Sequence, residues 1–144
     1  MEPQAESNQI PMQVVSQCLV ASIQLHAAAE LPHSFQHDLL DRIRRAGVSG
    51  VILEVSGVRI MDVEDFELLR RSMAMASILG ARPILVGLQP GIVASLVALD
   101  CNVDGVEAAA DLDDAFRRLR PAAEATDRAA AGEDDAITPP EGAG

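Results

Sequence analysis

Four carboxylates crowd one short run of the chain, Asp62, Glu64, Asp65 and Glu67, a set that could share a proton or hold Mg²⁺. The same spacing is what a helix start produces, because the positive end of the helix dipole favours acids in the first turn. Three histidines, His26, His33 and His37, fall near another helix start. His33 and His37 share a helical face and could ligate a metal, yet no nearby cysteine completes the set and Asp38 and Asp41 lie on adjacent faces. Cys18 and Cys101 lack metal spacing and read as reduced, buried thiols. Ser56, Ser95 or Cys101 as a nucleophile would need a base and an orienting group, and no nucleophile-elbow pattern surrounds them. Gly47 with Gly50, and Gly87 with Gly91, are wrongly spaced for either nucleotide-binding fingerprint. The expectation is a protein without catalytic residues, metal or cofactor.

The elements that position these residues follow from periodicity. Val51, Ile52, Leu53 and Val55 form a compact run suited to a strand covered on both faces, broken by Ser56 and Gly57. Asp62 stands where an N-cap belongs, and a long helix is expected from there to Leu79, with Gly80 as its stop. Its inner face is Phe66, Leu69, Met73 and Ala76, widened by Leu68, Met75 and Leu79, while Arg70 and Arg71 can pair with Glu67. Before this unit, Ile10–Ser16 and Cys18–Leu25 read as an antiparallel pair joined by a tight connection around Gln17. Ala27–Pro32 is a connector. A helix opens at His33-Ser34-Phe35 and runs to Arg45, burying Phe35, Leu39, Leu40 and Ile43, and Gly47 ends it.

After the long helix, Ile84, Leu85, Val86 and Leu88 form a short buried strand with Gly87 inside it. Gln89-Pro90-Gly91 is a turn with proline at the first helical position, and Ile92, Val93, Leu96, Val97 and Leu99 form a short helix ending near Asp100. Cys101–Gly105 is a loop, a short strand is expected around Val106, and Asp111 caps a last helix, Leu112–Leu119. The order β-β-α-β-α-β-α-(β)-α implies an α/β fold. Its sheet is mixed, four- to five-stranded, with a leading antiparallel pair and about four helices.

Composition narrows the function. The chain of 144 residues is 49% hydrophobic, enough for one core, but has no Trp, no Tyr and only three Phe, which argues against stacking platforms for nucleic acid and against aromatic cages. A net charge of -11 argues against sequence-independent nucleic-acid binding. All eleven basic residues are arginine, so Schiff-base chemistry and a phosphate-loop lysine are excluded. Residues 1–9 carry -2 and residues 121–144 carry -5, which leaves -4 for the stretch between. Residues 1–9 are expected to be a flexible N-terminus, 10–120 the folded domain, and 121–144 a disordered acidic tail, too poor in apolar side chains to order itself. No apolar run approaches the ~18 residues of a membrane span, and the expected location is the cytoplasm.

Three segments carry a resemblance to the STAS domain family, and within it to the stressosome scaffolds of RsbS type. They are Cys18-Leu19-Val20-Ala21-Ser22-Ile23-Gln24; Ser34-Phe35-Gln36-His37-Asp38-Leu39-Leu40; and Leu79-Gly80-Ala81 through Val86-Gly87-Leu88-Gln89-Pro90 to Leu96. The Gly-x-Gln-Pro turn at Gly87–Pro90 is the most specific of these. The resemblance implies a non-enzymatic scaffold that assembles with sensor-bearing STAS paralogues into a homo- or hetero-oligomer and sequesters a serine/threonine switch kinase in stress signalling. It also implies that Asp62, Glu64, Asp65, Gly87, Gln89 and Pro90 meet partners. In the family a Ser or Thr follows the Asp at the start of this helix and accepts phosphate; here that position is Val63, which has no hydroxyl. Ser95 matches a second acceptor of some paralogues, although it also reads as a small residue packed between Ile92 and Leu96 or Leu99. With Thr126 and Thr138 placed in the tail, serine is the core candidate. The alternatives are an anti-anti-sigma factor or a transporter-associated STAS subunit, and, from another class, a small α/β metal- or ligand-binding enzyme using the acidic turn.

Overall fold

Short apolar runs bounded by turn residues build the sheet, and the computed structural model describes residues 10–24 and 31–119. In chain order these are β1 (Met12–Val15), β2 (Cys18–Ser22), α1 (Phe35–Ala46), β3 (Gly50–Glu54), α2 (Val63–Ile78), β4 (Arg82–Val86), α3 (Pro90–Ala98), β5 (Ala108–Ala109) and α4, residues 112–119. The five strands lie in sequence order, β1 antiparallel to β2 and every later pair parallel. The mixed sheet, its leading antiparallel pair and the helices are those expected. Ser16 (φ 53°) and Gln17 (φ 68°) make the β1–β2 connection, the two positive angles that a two-residue hairpin needs to match strand twist.

Alternation along the central strands divides the core. Leu19, Ala21, Val51, Leu53 and Leu85 face one side, where they meet Phe35, Leu39 and Ile43 of α1, Phe66, Leu69, Met73 and Ala76 of α2, and Ile92 and Leu96 of α3. Cys18, Val20, Ile52, Ile84 and Val86 face the other side and are covered by Ala115, Phe116 and Leu119 of α4. Burial of Phe35 and Phe66 contributes about 1.5–3 kcal/mol each.

Several expectations are corrected. Gly87 does not lie inside a strand; β4 ends at Val86, and Gly87 follows it with φ +83°. The last strand is Ala108–Ala109, because Val106 belongs to the preceding loop. The second strand stops at Ser22 and the third at Glu54, with Val55 buried just beyond it. On α2, Met75 (40% exposed) and Leu79 (47%) do not widen the inner face. Ser72 does: it is fully buried, its hydroxyl donating to the Leu68 carbonyl oxygen at 2.7 Å. Cys18 is buried as expected, but Cys101 is only half-buried. Residues 25–30, which hold Leu25, His26 and most of the expected connector Ala27–Pro32, and both tails, with Thr126 and Thr138, lie outside the described residues.

Candidate functional site

The loop from β3 to α2 is pinned from below and open above. Val58 and Met61 are buried, whereas Arg59 and Ile60 (60% exposed) face solvent between them. Asp62 takes the extended backbone of an N-cap (φ -89°, ψ 177°), and its carboxylate accepts the Asp65 N–H at 2.8 Å. Val63, the first helical residue, is 39% exposed, and Asp62 and Glu64 are exposed beside it. Asp65 itself is half-buried, and its carboxylate accepts the Leu31 N–H at 3.3 Å, tying the segment that precedes α1 to the start of α2. Sequence spacing identified Asp65 only as one of a set of acids; the partner 34 residues away comes from the fold.

The four acids therefore do not converge. Asp62 caps, Asp65 holds Leu31, Glu64 points to solvent, and Glu67 pairs with Arg70. The hydrogen bond from Arg70 holds Glu67 below the ordinary carboxylate range, with Arg71 adding its charge. Among the described residues no group of three His, Cys, Asp or Glu side chains is gathered around a common point. His33 and His37 are both exposed at the start of α1. Ser56 is hydrogen-bonded to the Glu54 carboxylate rather than presented to a histidine.

The turn after β4 lies against the turn after β3. Gln89 donates its side-chain amide N–H to the Ser56 carbonyl oxygen at 3.0 Å, and a Cβ on Gly87 would stand 2.9 Å from that of Ser56. Gly57 is equally close to Gln24, where a Cβ would meet the glutamine side chain at 2.8 Å. The loops leaving β2, β3 and β4 thus form one packed edge at the carboxyl ends of the parallel strands. Pro90 opens α3 at its first turn, exposed. Ser95 is also exposed, so it does not pack between Ile92 and Leu96 as one reading of the sequence had it. Spacing missed Ile60 and the outer face of α3, where Val93 (41% exposed) and Val97 (63%) stand free on a helix with no charged residue. The missing charges were the available signal, because an all-apolar helix reads equally as a buried one.

No family model and no curated protein matches the sequence. Solved structures do. A Ser-to-Glu variant of RsbS from Moorella thermoacetica superposes with a TM-score of 0.67 at 22% identity, over 81% of this chain and 98% of that one. A chain from the molecular architecture of the stressosome, described as a signal integration and transduction hub, gives 0.68 at 21% identity over 78% and 98%. The anti-sigma factor antagonist SpoIIAA in its unphosphorylated form gives 0.54 at 18% identity over 78% and 96%. The protein therefore has the STAS fold. Its structural neighbours are stressosome and anti-sigma-factor-antagonist proteins of that fold. Among the described residues no helix is long and apolar enough to cross a membrane.

Proposed function

We propose that the protein is a non-enzymatic STAS scaffold of a stressosome-like assembly, built over residues 10–120 with the two termini as tails. Within it the chain joins a sensor-bearing STAS paralogue and helps hold a serine/threonine switch kinase. The observation that carries this reading is the exposed start of α2, where Asp62, Val63 and Glu64 face solvent on a pinned loop. Gly87, Gln89 and Pro90 extend the same edge, and Asp65, tied to the Leu31 N–H, adds its half-buried carboxylate at the base of the surface that meets the partner. With valine in the acceptor position, the surface is a fixed one: Asp62 and Glu64 supply standing negative charge where a phosphoryl group would add about -1.5 to -2 transiently.

Mass is the test. The full chain, mixed with the sensor-bearing STAS paralogue of the same organism, is expected to sediment as a particle in the megadalton range. A monomer or dimer under the same conditions overturns the scaffold and favours the second reading, an anti-sigma factor antagonist, which the likeness to SpoIIAA supports.

A further inference from the structure

Each of α1 and α2 leads into the amino end of a parallel strand, β3 and β4, so the two helices run side by side in the same direction. Their outer faces leave a furrow made of two adjoining clefts, of about 530 and about 420 Å³, which share His33, Gln36 and Met75. Leu40 and Leu68 are half-buried along it. At its lower end Met75 (40% exposed), Ile78 (83%) and Leu79 (47%) leave large apolar side chains in water. A contiguous apolar strip of this kind, rimmed by polar groups, marks an interaction surface.

The rim decides the sign of what binds. Arg44 lines one wall and Arg71 the other, both exposed. The one carboxylate in the lining, Asp41, sits on the same helix as Arg44 and is already divided between Arg44 (3.0 Å) and Arg45 (2.8 Å). In the lining two arginines, Arg44 and Arg71, stand against one acid whose charge Arg45 outside the furrow also shares, which makes the furrow locally positive on a chain whose net charge is -11. The twelve residues of α1 span about 18 Å, the length of about three turns of a docked helix. We infer that the α1–α2 furrow docks an amphipathic helix of a partner protein, one that carries acidic residues beside its apolar stripe. The surface is separate from the Asp62–Val63 corner, so its failure leaves the proposed function standing.

The test uses the full-length ¹⁵N-labelled chain and a stapled helical peptide of about 14 residues, with leucines one turn apart and flanking glutamates, set against the same peptide with lysines. The expected result is shift changes confined to the furrow, weaker binding of the lysine peptide, and affinity reduced at least about tenfold in Ile78→Asp and in Arg71→Glu. Both side chains are exposed, so melting curves close to that of the wild type are expected, with a small loss in Arg71→Glu from the like charge of Glu67 one turn away. Equal binding of the two peptides, shifts elsewhere, or indifference to both substitutions overturns the inference. A dimer of the wild type that Ile78→Asp dissociates would assign the furrow to a second copy. Tighter peptide binding after removal of residues 121–144 would assign it to the chain's own tail. Either result overturns it as well.

Discussion

Val63 occupies the first position of α2, where a hydroxyl would lie among backbone N–H groups that no helical carbonyl satisfies. One of those groups, the Asp65 N–H, is already taken by Asp62 at 2.8 Å, and Glu64 stands next in the chain with its own negative charge. A phosphoryl group introduced here would still gain from the dipole end but would meet two carboxylates at once. Two outcomes follow for a Val63→Ser variant offered to the switch kinase of an RsbS-type system. If the docking edge is intact, the variant takes up label and the wild type does not, and Val63→Ser with Glu64→Ala takes it up faster because a like charge has gone. If neither variant is labelled, the corner is not a kinase docking surface, and the standing-charge reading of Asp62 and Glu64 fails with it.

At the scale of elements, the packed edge depends on how closely one turn approaches another. Gly87 has φ +83°, and any Cβ there would press on Ser56 at 2.9 Å. Gly80, with φ +92°, ends α2 with open space around it. Gly87→Ala should therefore cost more than Gly80→Ala. The second carries only the backbone penalty of about 1–2 kcal/mol, and the first adds a displacement of the β3–α2 loop. Urea midpoints of the two variants check this; equal losses would mean that the turns do not bear on each other. Much of this arrangement was legible in the sequence. The Asp62 cap, the Gly80 stop, Pro90 at its first turn and the Phe66–Leu69–Met73–Ala76 face all follow from local rules, because each depends on neighbours within one or two turns. What could not be read depends on distant partners. β5 is two residues long, paired to β4 through its backbone and flanked by charged side chains rather than marked by propensity: Arg82 grips Glu107 through two nitrogens at 3.0 and 2.6 Å, and Arg118 donates to the Ala108 carbonyl oxygen at 2.8 Å. No apolar run announces such a strand, which is why the sequence points to Val106 instead. The Asp65–Leu31 bond and the Gln89–Ser56 bond were invisible for the same reason, and they are what turn three separate loops into a single edge.

For the molecule as a whole, acid is the informative perturbation, because each of three helices carries an arginine–carboxylate pair within itself. Asp41 of α1 is held below the ordinary carboxylate range by its hydrogen bond from Arg44 and the charges of Arg45 and Arg44; Glu67 of α2 by Arg70; Asp114 of α4 by Arg117 and then Arg118. Each group binds its proton less readily folded than unfolded, so each contributes stability that is fully present above its unfolded pKa. That contribution is lost as pH falls through the lower folded value. The pairs are solvent-exposed, so each adds little, and salt screens them. The net charge of -11 pulls the other way, since protonating carboxylates relieves self-repulsion. Much of that charge sits in residues 1–9 and 121–144, however, and the stretch between carries only -4. Paired acids should therefore outweigh repulsion within that stretch. The urea midpoint is expected to stay level from neutral pH down to the upper edge of the carboxylate range and then to decline, with the decline shallower in high salt. A midpoint that rises on acidification would show that repulsion within 10–120 exceeds the helix pairs, and that the three arginine-bound carboxylates do not hold their helices.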